Sequence, residues 1–224
     1  MTDIVLLSLK VASVATLASV VPAVAVAWLL ARGRFWGRAL LDVLVHLPLV
    51  VPPVVTGYFL LRVFGRRGPV GAWLEQYLGL TFSFRWTGAA LAAAVMSFPL
   101  IVRAVRLGLE NVDRQLEEAA GSLGARPAWV FASVTLPLAL PGLIAGCVLC
   151  FAKALGEFGA TITFVSNIPG ETQTISAAIY TFTQTPGGDA AASRLVLVAI
   201  AISLVALTIS EWLARRAGMR FHGE

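Results

Sequence analysis

Five long apolar runs divide this 224-residue chain and limit the folds that it can adopt. A membrane-spanning helix needs about 20 mostly apolar residues, because the hydrocarbon core of a bilayer is roughly 30 Å thick. Only 13% of the residues are charged, whereas a soluble domain of ordinary composition carries about a quarter. The sequence therefore predicts an all-α, polytopic membrane protein embedded in the lipid bilayer. We expect one transmembrane domain over residues 1–224, with spans at about 11–30, 40–64, 87–109, 138–158 and 195–213.

The arginines predict how these spans are oriented. Basic residues near the ends of spans stay on the cytoplasmic side of a membrane. Ten of the fifteen arginines lie beside the inner ends of the runs, if the N-terminus is outside and the C-terminus inside. We therefore expect that orientation, although Arg66, Arg67 and Arg85 on the outer side run against it. The net charge of +5 sits in clusters beside apolar runs, so nucleic acid is not an expected partner.

Several kinds of catalytic chemistry are absent from the sequence. No Gly-Lys dipeptide occurs, which excludes the phosphate-binding loop GxxxxGK[ST] of many ATPases. His46 and His222 are the only histidines, so a histidine-based metal site is not expected. The chain is predicted to be no enzyme and to need no metal and no cofactor. If it takes part in active transport, the energy has to come from another chain.

The second apolar run contains three prolines and a histidine. Pro48, Pro52 and Pro53 remove backbone donors and clash with the preceding turn, so this run cannot form a straight helix. A broken helix at membrane depth is tolerated where it is buried in protein or lines a water-filled path. An ionisable residue at that depth is a candidate for function, but Asp42 could instead satisfy His46 from one turn away. The three prolines and His46 are therefore candidates for a translocation path, with the structural interpretation of His46 left open.

The fourth run and the segment after it supply the other candidates for a translocation path. Lys153 and Glu157 lie one helical turn apart, and a lone charge there would be costly, so we expect them to pair. Lys153 could also supply positive potential to an anion. The segment 156–189 is rich in Gly, Thr and Ser and has no basic residue, which favours a segment folded back over the mouth of the bundle. Its hydroxyls could donate to a tetrahedral anion or satisfy the backbone; the candidates among them are Thr161, Thr163 and Ser166.

The segment 111–137 is the long polar-rich stretch between two apolar runs. Its apolar residues recur at three- and four-residue steps, which predicts a short amphipathic helix. Asn111 or Asp113 can cap the start of that helix. Gly124 is a natural stop, since a residue without Cβ adopts the left-handed conformation at low cost. Pro127 suits the first turn of the helix that follows.

Part of this segment has the spacing of a known signature. Glu118-Ala119-Ala120 is followed after three residues by Gly124, after nine more by Val134, and then by Leu136-Pro137. This resembles the EAA signature of the membrane subunits of bacterial ABC importers, with Val134 where isoleucine is usual. In that family the segment is a coupling helix that sits in a groove on a cytoplasmic ATPase subunit. The resemblance implies these coupling residues: Glu117, Glu118, Ala119, Ala120, Gly121, Leu123, Gly124, Ala125 and Pro127.

Two more stretches, residues 46–61 and 156–175, look like the membrane permease subunits of bacterial molybdate ABC importers, a family close to the sulfate/thiosulfate and tungstate permeases. The resemblance implies the type I importer permease fold and a multi-pass protein of the bacterial cytoplasmic (inner) membrane. It also implies a homodimer that binds two cytoplasmic ATPase subunits. A periplasmic or lipid-anchored binding protein would deliver the oxyanion. The expected function is ATP-driven import of molybdate, with sulfate, thiosulfate or tungstate as alternative substrates.

Two other classes of membrane protein compete with this interpretation. A non-transporting anchor subunit of a redox complex would need haem-ligating histidines in its spans, and the single intramembrane His46 argues against it. A secondary transporter, which works without an ATPase, would be expected to have more spans and internal repeats.

Overall fold

The computed structural model describes residues 1–219, and these form ten continuous helices and no strand. The predicted all-α fold is therefore confirmed. Arg220, one of the arginines used to predict the orientation, and His222, one of the two histidines, lie outside the described residues. The helices are α1 (Thr2–Arg32), α2 (Arg38–Val50), α3 (Pro53–Phe64), α4 (Pro69–Leu78), α5 (Trp86–Glu110), α6 (Arg114–Ser122), α7 (Pro127–Leu155), α8 (Gly159–Val165), α9 (Ile175–Thr183) and α10 (Asp189–Met219).

Within residues 1–219, four helices are long and apolar enough to cross a membrane: α1, α5, α7 and α10. Together α2 and α3 pass the same test, but they are bent by 113° at the break between them. They have 13 and 12 residues, so each is at most about 20 Å long at the usual rise per residue. Neither crosses the hydrocarbon core alone. The structure thus has four spans, or five if the bent pair counts as one.

The break between α2 and α3 follows from the two adjacent prolines. A residue that precedes proline is pushed out of the helical region into extended backbone. Val51 precedes Pro52, and Pro52 precedes Pro53; both Val51 and Pro52 are extended, with ψ of 137° and 134°. Pro48, in contrast, is accommodated inside α2. The break predicted within residues 40–64 is therefore present, and it divides this run into two half-helices.

The helix that contains the first predicted span extends beyond it at the N-terminal end. α1 starts at Thr2 rather than near residue 11, and Lys10 lies inside the helix instead of at its end. The ammonium group of Lys10 lies 3.6 Å from the centroid of the Trp86 ring at the start of α5. A cation over an aromatic face is attracted by the electron density of the ring. This contact explains how a charged residue is accommodated within α1.

The helix that contains the fourth predicted span, α7, runs without interruption from Pro127. It passes through a π-helical turn at Phe131–Thr135, where the N–H of Leu136 donates to the carbonyl oxygen of Phe131. Pro137 has no N–H, and its ring would clash with the carbonyl group of Ser133 in an ordinary α-helix. A π-helical turn is wider, and we attribute its position to Pro137. At its other end α7 stops at Leu155, before the predicted end at 158, and Gly156 caps it.

The core of the bundle is built from small residues of α1 and α5. Ala12, Ala15, Ala89 and Ala93 are buried in one cluster with α8 and α9. Without a hydrophobic driving force between helices in lipid, close packing of small residues is what favours their association. This packing holds α1, α5 and α7 together, and the half-helices α3 and α8 lie against it.

The half-helices α3 and α8 cross at very short range. A Cβ atom on Gly57 would lie 2.5 Å from the carbonyl oxygen of Ala160 and 2.9 Å from its Cα. At the same crossing a Cβ on Gly159 would lie 2.7 Å from Cβ of Pro53. The two broken regions of the chain, one beside Pro53 and one beside Gly159, therefore meet in space.

Replacing Gly57 with alanine should destabilise the protein, because the new methyl group forces the backbones of α3 and α8 apart. We expect a loss of about 1–3 kcal/mol, the usual cost of overpacking a tight site. The measurement is thermal unfolding of the purified protein in detergent. Gly121→Ala is the control, because a Cβ there would meet no atom within 4 Å. Equal midpoints for the two variants would show that the crossing tolerates separation.

Candidate functional site

The short helix α6 is an exposed element at the surface of the bundle. Its N-cap is Asp113, whose side chain accepts a hydrogen bond from the backbone N–H of Gln115 at 2.9 Å. Asn111, the other predicted cap, instead ends α5. None of the residues of α6 is buried. Two apolar side chains are exposed, Leu116 in α6 at 49% and Leu123 at its C-cap at 89%. They give this helix an apolar surface that is available to another molecule.

A glycine-dependent turn connects α6 to α7. Gly124 has φ of +86°, the left-handed region that favours glycine. Its N–H donates to the carbonyl oxygen of Gly121, and the N–H of Ala125 donates to the carbonyl oxygen of Ala120. This pair of bonds is the Schellman motif, which satisfies carbonyls at the end of a helix. Pro127 then opens α7 as predicted. The turn fixes the angle at which α6 leaves the bundle.

Two neighbouring glutamates of α6 differ in exposure and in their contacts, although both line the same pocket between α6 and the bundle. The carboxylate of Glu117 accepts a hydrogen bond from Thr135 Oγ1 at 2.7 Å and pairs with Arg32 Nη2 at 3.2 Å, both through Oε1. Glu118 is exposed. Sequence reasoning missed Arg32 and Thr135. Arg32 was interpreted only as an orientation signal, and 85 residues separate it from Glu117, so no local pattern could pair them.

Around α6, the sequence-predicted coupling residues share one region but differ in exposure. Glu117, Ala120 and Ala125 are half-buried against the bundle, and the remaining six are exposed. Those six are Glu118, Ala119, Gly121, Leu123, Gly124 and Pro127. An outer surface of alanine, glycine and leucine permits close approach of a partner backbone.

His46 lies in a cluster of charged residues between α2 and α5. Its Nδ1 lies 2.8 Å from the carbonyl oxygen of Asp42 and 3.2 Å from Oδ1 of the same residue. The other carboxylate oxygen of Asp42 accepts from Arg106 Nη1 at 3.1 Å, and Arg106 Nε donates to Glu110 at 2.8 Å. These contacts give His46 and Asp42 a structural role that joins α2 to α5. The contacts of Arg106 with Asp42 and Glu110 were not predicted from the sequence.

Lys153 and Glu157 form the expected ion pair at the end of α7. Lys153 Nζ lies 3.1 Å from Oε2 of Glu157, and the other carboxylate oxygen accepts from the N–H of Ala160 at 3.0 Å. Glu157 is 2% exposed, whereas the side chain of Lys153 is 35% exposed. A buried carboxylate thus joins the end of α7 to the start of α8, beside the Pro53–Gly159 contact.

The predicted hydroxyl donors mainly serve the backbone in this structure. Thr161 Oγ1 donates to the carbonyl oxygen of Phe158 at 2.8 Å, and Thr163 Oγ1 donates to that of Gly159 at 2.9 Å. Ser166 is exposed, and its φ of +65° is unusual for a residue other than glycine. Uncommon backbone conformations of this kind concentrate at functional sites. A role in transport for these three residues, the three prolines, His46 and Lys153–Glu157 stays a prediction.

Comparison with known proteins identifies the family. Residues 23–219 match the family described as the binding-protein-dependent transport system inner membrane component. The chain belongs to this family. It is therefore a membrane permease subunit of an ABC importer, and ATP is hydrolysed on a separate chain. The family also establishes an ATPase subunit and a substrate-binding protein as partners, and the cytoplasmic membrane as the location of the permease.

Curated relatives and solved structures agree with the family. The permease is 62% identical over 211 residues to the molybdenum transport system permease protein ModB of Escherichia coli (strain K12), covering 94% of this chain and 92% of the relative. It is 40% identical over 197 residues to the sulfate transport system permease protein CysT of the same organism, covering 88% and 70%. An inward-facing structure of the MetNI methionine ABC transporter superposes with a TM-score of 0.72 at 14% identity, covering 97% and 95%.

The solved structure confirms the fold predicted for the permease, the helical arrangement of a type I importer permease. The family also rules out the redox anchor and the secondary transporter as interpretations. The EAA-like spacing of residues 118–137 predicted a membrane subunit of an ABC importer, and the family match confirms that prediction for the chain as a whole.

Proposed function

We propose that this permease carries molybdate into the cell and that ATPase subunits drive it through α6. The observation that carries the proposal is the geometry of α6, a helix without a buried residue whose apolar side chains Leu116 and Leu123 are exposed, followed by the Gly124 turn. An exposed apolar surface on a short helix outside the spans favours a protein partner. The substrate rests on the 62% identity to the relative named as a molybdenum permease, compared with 40% to the one named as a sulfate permease.

The permease works with its N-terminus outside and its C-terminus inside, so that α6 lies in the cytoplasm beside the ATPase. The distribution of arginines in the sequence supports this orientation. The whole chain, residues 1–224, acts as one transmembrane domain. A periplasmic or lipid-anchored protein delivers the oxyanion at the opposite face.

Two copies of the permease form a dimer that binds two ATPase subunits. The half-helix α2 supports a dimer because it contains no buried residue. Exposed apolar side chains occur along both half-helices: Leu40, Val43, Leu44, Leu47, Leu49, Val50, Val54, Val55, Tyr58 and Phe59. Broken helices at membrane depth are tolerated when protein covers them or when they line a cavity. A second copy related by a two-fold axis supplies such a cover with the same surface.

The anion passes close to the place where the two broken regions meet. Pro52 and Pro53 start α3 there, and Lys153 is partly exposed at the end of α7. Half-helices that start at membrane depth carry partial positive charge at their N-termini. Glu157 balances the charge of Lys153, which supports weak rather than tight anion binding. Weak binding suits a path that has to release its substrate, with affinity supplied by the binding protein.

Substrate competition in reconstituted vesicles tests the proposed function. The vesicles contain the permease with its ATPase subunit and binding protein, and ATP-dependent uptake of molybdate is measured. Excess tungstate, which has the same shape and charge, should reduce molybdate uptake strongly, and excess sulfate should reduce it little. Uptake of sulfate in preference to molybdate would assign the permease to the sulfate alternative. Uptake that does not need ATP would contradict the proposal.

A further inference from the structure

We propose that Glu117 with its two partners, Arg32 and Thr135, transmits the movement of α6 to the spans. In this inference Glu117 is a positioning residue that faces the bundle, and it does not contact the ATPase. These three residues are called the Glu117 cluster below. The inference rests on the proposed function, because it requires an ATPase subunit that moves α6.

The Glu117 cluster links four parts of the chain, three at the Glu117 carboxylate and the fourth through Arg32. Arg32 is in the last turn of α1, and its Nη2 donates both to Glu117 Oε1 at 3.2 Å and to the carbonyl oxygen of Val112, just after α5, at 3.1 Å. Thr135 closes the π-helical turn of α7 and donates to the same Oε1 at 2.7 Å. A displacement of α6 therefore acts on α1, on the end of α5 and on α7 together.

The burial of the cluster makes these contacts strong. Thr135 is 2% exposed, and the side chains of Arg32 and Glu117 are 12% and 21% exposed. Hydrogen bonds to charged groups are worth more than neutral ones, and water screens them less when they are buried. Arg32 Nε is buried and has no hydrogen-bond partner among the described residues. Arg32 therefore depends on Glu117 for its ionic partner.

Between α6 and the bundle there is open space rather than close packing. A cavity of about 400 Å³ lies there, and its walls include Trp28, Arg32, Glu117, Phe131 and Thr135. Apolar packing between α6 and the bundle is incomplete at this pocket, which is open to solvent, and the polar contacts of Glu117 cross it.

The neighbouring residue Glu118 provides an internal contrast. It has the same carboxylate one position along α6, but it is exposed. If Glu118 serves the ATPase surface and Glu117 serves the bundle, the same substitution at the two positions has separable effects. Removing the carboxylate of Glu118 weakens the binding of the ATPase subunit. Removing the carboxylate of Glu117 weakens the transmission of the ATPase movement to the spans.

The experiment compares Glu117→Gln with Glu118→Gln in vesicles that contain the full complex. Glutamine keeps an oxygen that can accept from Thr135 but removes the charge that pairs with Arg32. For Glu117→Gln we expect normal copurification of the ATPase subunit. The amount of anion transported per ATP hydrolysed should fall on the order of tenfold, as expected for one charge-assisted contact. Glu118→Gln should reduce copurification and leave that ratio unchanged in the complexes that do form.

A second variant keeps the inference testable if Glu117→Gln folds poorly. Thr135→Val retains size but lacks the hydroxyl donor, and it should lower the transport-to-ATP ratio in the same direction by a smaller factor. A purely structural role would lower the yield of complex, or both activities in proportion, with the ratio unchanged. An unchanged ratio in both variants overturns the inference. If the unaltered permease holds no ATPase subunit, the proposed function fails as well, and that result is recognised before any variant is made.

Discussion

Glu157→Ala is expected to produce the largest loss of stability in this permease. Glu157 is 2% exposed, pairs with Lys153 and accepts from the N–H of Ala160. Alanine leaves the ammonium group without its partner and the buried N–H without its acceptor. Breaking a buried pair costs about 3–5 kcal/mol. Because Lys153 reaches water in part, we expect about 2–4 kcal/mol here, measured as the free energy of unfolding in mixed micelles titrated with denaturing detergent.

The double variant Lys153→Met/Glu157→Gln is the matched control for the loss of the ion pair. It removes both charges at once and keeps an oxygen that can accept from the N–H of Ala160. We expect its stability within about 1 kcal/mol of the unaltered permease, because no unpaired charge remains. If the double variant is as unstable as Glu157→Ala, the ion pair is not the cause. Its uptake activity then tests the path, since a stable protein with lost transport would assign the Lys153–Glu157 pair a direct role.

Gly124→Val is expected to have the second large effect, a loss of ATPase binding with the membrane fold intact. Gly124 has φ of +86°, where a residue with a Cβ costs about 1–2 kcal/mol and a β-branched residue more. The chain would relieve this strain by opening the Schellman turn. α6 would then leave the bundle at another angle. We expect membrane insertion to persist and copurification of the ATPase subunit to be largely lost.

Gly121→Val separates backbone strain from steric bulk at this turn. A Cβ at either glycine would meet no atom within 4 Å, but Gly121 lies inside α6 and not at positive φ. The control variant should therefore retain most of its ATPase binding. Equal losses in the two variants would assign the effect to bulk at the docking surface. Normal binding by Gly124→Val would show that the turn does not set the position of α6.

Local sequence chemistry predicted much of this permease. The apolar residues predicted the four long spans and α6. Helical periodicity is visible within a few turns, and a bilayer-spanning helix is visible as one run of about 20 apolar residues. Gly124 and Pro127 marked the turn, since few residue types suit their backbone conformations. The spacing of Lys153 and Glu157 was sufficient to predict their ion pair. In each case the signal lies within one or two helical turns.

The contacts that position the site could not be predicted in this way. Arg32 pairs with Glu117 across 85 residues, and Arg106 pairs with Asp42 across 64. Such pairs depend on how the helices pack. The adjacent prolines predicted a break between α2 and α3 but not its angle of 113°. Pro127 predicted the start of α7, but nothing in the sequence predicted the π-helical turn at Phe131–Thr135 inside that helix.

Labelling of α6 from the two sides of the membrane tests the central claim most directly. A single cysteine replaces the exposed Ser122 at the end of α6, in a variant without Cys147 and Cys150. A membrane-impermeant maleimide is then applied to inside-out and right-side-out vesicles. Our account predicts labelling only at the cytoplasmic face and protection from it when the ATPase subunit is bound. Labelling at the outer face, or equal labelling with and without the ATPase subunit, would contradict it.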